Sequence, residues 1–238
     1  PGRGVRAEAA PEASPTASSG CTATGWKQAR PVAAAPGDEI TVTLRVEPRC
    51  WSTGRRLHVA FVLDTSDSMY DRPTLFQALA AKELASTLAL GADPSTRAVV
   101  VSFAADARLE APLTDDEDAV LVAIERRKPN RRAPDPTQPD GNTRIELGLR
   151  EALRQLRRGR AEGEGAAAGA DPAPSEVLVL FSDGIADGGC GAARRELAQA
   201  LREGVLCVSV CVAPWCDDRC MEQLASSERH AFEVGDLS

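Results

Sequence analysis

Between Leu57 and Leu63 the chain reads Leu-His-Val-Ala-Phe-Val-Leu, and the residues that follow are Asp64-Thr65-Ser66-Asp67-Ser68. A continuous apolar run of this kind is expected of a strand buried on both faces of a parallel sheet. Such a strand needs helices above and below it, which constrains everything that follows. Its abrupt end, in a carboxylate and two hydroxyls, puts polar groups where the strand leaves the core.

The rest of the chain supplies the helices. Leu75, Leu79, Leu84 and Leu88 recur at helical spacing, with Pro73 near the start and Gly91 past the end, predicting a helix over 74–90. A strand is expected over 98–103, a short edge strand over 107–113, and a helix over 114–127 with Thr114 as its cap and carboxylates in its first turn. The Pro- and Arg-rich residues 129–142 read as a loop, 144–158 as a helix, and 159–175 as a low-complexity mobile insert. A strand over 177–181, a helix over 191–203, a strand over 205–212, a helix near 217–227 and a strand near 230–234 complete the series. Strand–helix alternation means an α/β fold: a doubly wound, mostly parallel sheet flanked by helices and joined by right-handed crossovers.

Residues 57–234 are therefore read as the main domain. Ahead of it, Ile40, Val42, Leu44 and Val46 alternate with polar residues, and 24–32 offers a hairpin partner, so 21–50 reads as a small β appendage. Residues 1–20 are rich in Ala, Pro, Ser and Glu and have too little apolar surface to offset ordering, which reads as a disordered leader or linker.

In a doubly wound sheet the first and fourth strands lie side by side, and ligands bind outside their carboxyl ends. Those ends are Asp64-Thr65-Ser66-Asp67-Ser68 and Ser182-Asp183-Gly184. Hard oxygen donors with no His or Cys among them suit Mg²⁺, and Ca²⁺ or Mn²⁺ less well. Two carboxylates aimed at one spot repel, and a dication relieves that repulsion.

These residues resemble the metal-ion-dependent adhesion site of the von Willebrand factor type A fold. That family carries Asp-x-Ser-x-Ser after the first strand, a Thr on a middle loop and an Asp after the fourth strand. Asp64, Ser66 and Ser68 match the first element, Thr143 the second and Asp183 the third, all in order across roughly 57–234. The resemblance implies a metal held directly by Ser66, Ser68 and Thr143, with Asp64 and Asp183 binding directly or through water. It also implies an open coordination position that a partner's carboxylate fills. Asp67 departs from the Gly of many relatives and adds a carboxylate near the site. Relatives usually carry a further C-terminal helix, and only Gly235–Ser238 remain here, which reads as truncation or an atypical end.

Other readings are weaker. Each Ser or Asp alone reads more readily as a cap or turn former; the joint pattern carries the metal reading. Haloacid-dehalogenase phosphatases need a second Asp where Ser66 stands. Gly184–Gly191 could cradle a phosphate but lacks the Lys-Ser/Thr ending of a P-loop. His58 and His230, the only histidines, make poor catalytic bases, so no enzyme is expected. The Arg126–Lys128 and Arg131–Arg132 cluster reads as a solvated loop with a possible ligand contact. A net charge of −7 and a pI near 5.0 argue against nucleic-acid binding, and no apolar run is long enough to span a membrane.

Seven cysteines are many for a cytosolic chain of 238 residues and predict an oxidising, exported setting with one thiol left over. Cys207 and Cys211 are too far apart along one strand to pair. The spacing of Cys216 and Cys220 resembles half a zinc site but lacks its His. Pairing is expected between Cys190 and the Cys216–Cys220 loop, and between Cys21 and Cys50. The expected function is a metal-dependent protein-binding or adhesion module that captures an acidic group of a protein or matrix partner. The alternative is an intracellular subunit docking onto an ATPase or chelatase-type complex. Partner, oligomeric state and choice of metal are not legible.

Overall fold

Side chains alternate along a strand, so the Leu57 run feeds two cores at once. In the computed structural model, which describes residues 21–30, 41–50, 56–69, 72–92, 95–126, 143–164, 173–212 and 215–233, the run forms strand β3 (Leu57–Asp64), after a hairpin of β1 (Cys21–Arg30) and β2 (Thr41–Cys50). Val59, Phe61 and Leu63 pack into one core and Ala60 and Val62 into the other. Each fully buried side chain of that size contributes about 1.5–3 kcal/mol.

The remaining strands are β4 (Thr96–Phe103), β5 (Ala107–Thr114), β6 (Ser175–Ser182), β7 (Leu206–Cys211) and β8 (Ala231–Glu233). With β3 they form one six-stranded sheet in the order β5-β4-β3-β6-β7-β8. Every neighbouring pair is parallel except β4 and the edge strand β5. The sheet is thus the doubly wound, mostly parallel α/β arrangement expected, with β3 and β6 adjacent at the point where the winding reverses. Helices α1 (Arg72–Ser86) and α2 (Glu117–Glu125) cover one face. Helices α3 (Ile145–Glu164), α4 (Gly191–Arg202) and the short α5 (Asp218–Gln223) cover the other.

Several local expectations need correction. The buried face of α1 is Thr74, Gln77, Ala78, Ala81 and Ala85, whereas Leu75 and Leu79 are exposed. Small residues let α1 lie close to the sheet; of the leucine stripe, Leu84 and Leu88 pack partly against the core while Leu75 and Leu79 point outward. Thr114 does not cap α2, because it is still extended within β5. Asp116 is the cap, its side chain accepting from the Ala119 N–H at 3.0 Å. Of the insert expected over 159–175, residues 159–164 belong to α3, which continues to Glu164, and 165–172 lie outside the described residues. Gly159 is buried inside the helix, where a Cβ would overlap Leu113 and stand 3.3 Å from the His58 ring. A close approach thus explains a glycine that reads as a linker. The loop expected at 129–142, its Arg131–Arg132 pair, and residues 1–20 lie outside the described residues.

α3 presents Arg150 and Arg157 outward, where they pair with Glu196 and Glu203 on and just after α4. Arg157 beside it, and secondarily Gln199, hold the Glu203 carboxyl down at about 2. Such exposed pairs align helices and add little stability individually.

His58, on β3 near its amino end, is buried. Burial, and then Arg97, Arg56 and Arg160, lower its pKa to about 4. It is therefore neutral in the fold, while an unfolded chain protonates it near its ordinary value of about 6.5. The unfolded state binds the extra proton between those values, so stability is complete above about 6.5 and falls as pH drops toward 4. The loss is at most about 3 kcal/mol, less solvent screening. Melting temperature measured from pH 7 to pH 4.5 should fall less steeply in His58→Gln than in the native chain. Parallel pH profiles would show that His58 is not the titrating group.

Candidate metal centre

Asp64 is the last residue of β3 and is fully buried. The chain turns there into a single 3-10 turn, Asp67–Met69, closed by the Met69 N–H donating to the Ser66 carbonyl at 3.0 Å. That turn folds Ser66 back onto the strand end. The Ser66 N–H and hydroxyl both donate to Asp64 Oδ1, at 2.9 and 2.5 Å, and the Ser66 and Ser68 hydroxyls lie 3.2 Å apart. Thr65 locks the turn to the sheet through its N–H and hydroxyl, which donate to the Phe103 carbonyl at 2.8 and 3.0 Å. Asp67 is exposed at the head of the turn.

The second half comes from β6. Asp183 follows that strand directly and is fully buried. Its Oδ1 accepts from the Ile185 N–H at 2.9 Å, while its Oδ2 is buried with no hydrogen-bond partner. Ser182 joins the two halves. Its hydroxyl donates to Asp64 Oδ2 at 2.5 Å and accepts from the Gly184 N–H at 3.0 Å. Gly184 has φ +77°, and a Cβ there would stand 2.9 Å from the Asp217 carbonyl, so both backbone shape and space require glycine.

Thr143, buried just ahead of α3, arrives through a third residue. Its N–H donates to Asp187 Oδ2 at 2.6 Å, and the Asp187 N–H donates back to the Thr143 carbonyl at 3.0 Å. This reciprocal pair fastens the Thr143 loop to the segment that begins at Asp183. Asp64, Ser66, Ser68, Thr143 and Asp183 are thus drawn to one end of the sheet. The first three are directly hydrogen-bonded, Asp183 is joined through Ser182, and Thr143 is held through Asp187.

Sequence reasoning missed Ser182, Asp187 and Gln77, whose side-chain amide donates to the Asp64 carbonyl at 2.9 Å. Only Ser182 had a legible signal: it ends an apolar strand one step beyond the pair Leu63↔Phe181, which sets it opposite Asp64. The other two depend on how α1 and the Asp187 loop pack.

Electrostatically the site is short of positive charge. Burial pushes the Asp64 carboxyl up to about 7, the Ser182 and Ser66 hydrogen bonds oppose that, and Asp183 adds to it by repulsion. A buried carboxyl pair without compensating charge is costly. All the donors are hard oxygens, so the residues fit a divalent cation such as Mg²⁺ or Mn²⁺.

Cysteines brace the neighbouring loops. Cys190 is bonded to Cys220, tying the end of the Asp183–Cys190 loop to α5, and Cys211 is bonded to Cys216 across the loop after β7. The first matches the expected pairing of Cys190 with the Cys216–Cys220 loop; the second was not foreseen. Cys216 and Cys220 have different partners, so they do not act as half of a zinc site. Cys207 is a buried free thiol. Cys21 stands opposite Cys50 in the hairpin register, but their side chains lie outside the described set.

Known proteins place this arrangement. Residues 58–238 match the von Willebrand factor type A domain. No curated protein matches the sequence. Among solved structures, proximal thread matrix protein 1 from the mussel byssus superposes with TM-score 0.60 at 22% identity, covering 76% of this chain and 42% of that one. One structure of that protein has a zinc-occupied MIDAS motif. The three N-terminal domains of the type V pili tip protein Mfa5 from Porphyromonas gingivalis superpose with TM-score 0.61 at 13% identity, covering 90% and 53%. Manganese-loaded TRAP protein from Plasmodium vivax superposes with TM-score 0.51 at 10% identity, covering 87% and 66%. At these identities the likeness is one of fold, and the chain spans about half the length of the first two. The sequence match extends over most of the chain, and the sheet order agrees with it: the chain belongs to the von Willebrand factor type A domain family.

Proposed function

We propose that this chain is a divalent-metal-dependent protein-binding module, with the ion held by Asp64, Ser66, Ser68, Thr143 and Asp183. The observation that carries the reading is the buried, unpartnered Oδ2 of Asp183, on a carboxylate that repels the buried Asp64. A dication satisfies both at once. Asp64 and Asp183 supply the charge that balances a dication, and the three neutral hydroxyls donate weakly enough to leave it Lewis-acidic toward one further oxygen. Ser182 and Asp187 hold the ligands in place. Bound there, Mg²⁺ offers a Lewis-acidic point that prefers an anionic oxygen, such as an Asp or Glu side chain of a partner.

A binding role suits the chain better than hydrolysis. His58 lies near the amino end of β3 and Asp64 at its carboxyl end, roughly 20 Å away at about 3.3 Å per residue. No helix among the described residues is long and apolar enough to cross a membrane. The two described disulfides favour an exported protein over an intracellular assembly subunit. Relatives from a pilus tip and a mussel thread fit that setting. We assign residues 57–234 to the module, 21–50 to a β appendage and 1–20 to a leader or linker.

Capture of partners from candidate matrices or cell surfaces, with Mg²⁺ and then with chelator, tests this reading. Chelator or Thr143→Ala should cut capture by tenfold or more while the melting curve of the metal-free chain stays put. Millimolar acetate should compete weakly. Capture indifferent to chelator and to Thr143→Ala would move the binding surface elsewhere.

A further inference from the structure

Two large apolar residues on the loops that follow β6 and β7 are exposed to solvent: Ile185 is 45% exposed and Trp215 is 57% exposed. The first loop is hydrogen-bonded to the Asp183 side chain and the second to the Asp183 carbonyl. The Ile185 N–H donates to the Asp183 side chain at 2.9 Å. Trp215 lies two residues before Asp217, whose N–H donates to the Asp183 carbonyl at 2.8 Å. The loops carrying them leave the same edge of the sheet from adjacent parallel strands, β6 and β7. The other large exposed apolar residues, such as Leu79 and Leu201, sit on helices or the edge strand.

Both loops are covalently braced. Cys211–Cys216 closes the Trp215 loop, its Cα atoms 6.2 Å apart, and Cys190–Cys220 fastens the Ile185 loop to α5. Keeping apolar side chains wet forgoes the stabilisation that burial gives. Cross-links that limit the freedom of the flanking loops lower the entropy lost when a partner covers those side chains.

We propose that Ile185 and Trp215 determine specificity: they form the apolar half of the binding surface, and the partner segment carries an Asp or Glu flanked by a large apolar or aromatic residue. This rests on the metal reading above. A metal–carboxylate contact alone would accept almost any acidic residue, so discrimination must come from neighbouring groups. The net charge of −7 disfavours clustered acids, leaving a single acid among apolar residues as the better match. Exposed Trp is also the residue type most often dominant in protein interfaces.

The test uses the full chain with Mg²⁺ and three immobilised capped peptides: Gly-Gly-Glu-Gly-Gly, Gly-Leu-Glu-Trp-Gly and Gly-Glu-Glu-Glu-Gly. The apolar-flanked peptide should be held about tenfold more tightly than either of the others, and chelator should release it. Trp215→Ala with Ile185→Ser should reduce that preference to about twofold, with the Mg²⁺-induced rise in melting temperature unchanged; Trp215→Phe should keep most of it. Equal retention of the three peptides, retention of none, or a preference that survives the double replacement overturns the proposal. If the native chain shows no Mg²⁺-induced rise, the metal reading itself fails; a normal rise with no peptide preference rejects this inference alone.

Discussion

Asp183→Asn should abolish most of the stabilisation that Mg²⁺ gives the native chain. An ion that binds only the folded state adds RT ln(1 + [L]/Kd), about 2.7 kcal/mol at a hundredfold excess over Kd. For a domain of this size that raises the melting temperature by roughly 5–10 °C. Asn keeps the shape of Asp183 and removes the charge that balances a dication. Without metal the sign reverses: removing one of two buried, mutually repelling carboxylates should leave the fold as stable as before, or more so. Thermal melts of both proteins, in Mg²⁺ and in chelator, check the two signs together. Equal Mg²⁺ shifts in the two proteins would count against the site.

The second large effect belongs to the Cys190–Cys220 bond, which joins residues 30 apart in sequence. Constraining an unfolded loop of that length contributes about 3–4 kcal/mol in the chain-entropy account. Cys190→Ser with Cys220→Ser should therefore lower the urea midpoint substantially. It should also weaken metal binding, because the bond holds the segment that starts at Asp183. The slope of the urea transition should change too, since removing the cross-link leaves a more open denatured state. Alkylation of the native chain should reach Cys207 only after unfolding: its thiol is buried, and burial raises its pKa to about 12. A double variant with the native midpoint would show that packing of α5 alone holds this corner.

Legibility in the sequence followed the range of the interactions. The Leu57 run and the strand–helix alternation are local patterns, and they led to the sheet, to β5 as an edge strand and to the pairing of β3 with β6. The five proposed ligands were legible as a set because type, order and strand-end position had to coincide. What was missed depends on distant packing. Leu75 and Leu79 read as part of a core stripe, yet they are exposed and Ala78, Ala81 and Ala85 face the core, because closeness of approach decides which side packs. Gly159 reads as a linker until Leu113 and His58 are seen against it. Asp187 is one carboxylate among many until its two hydrogen bonds with Thr143 appear. The Cys211–Cys216 bond closes a loop whose turn the sequence did not specify.

The most direct measurement is the position of Mn²⁺ in crystals of the full chain, read from anomalous scattering. Mn²⁺ accepts the same hard oxygens as Mg²⁺ and is visible by its own signal. One strong peak is expected within bonding distance of the Ser66, Ser68 and Thr143 oxygens and beside Asp64 and Asp183, and it should vanish in Asp183→Asn crystals. A peak elsewhere, or none at this strand end with millimolar Mn²⁺ present, would contradict the assignment of these residues to a metal.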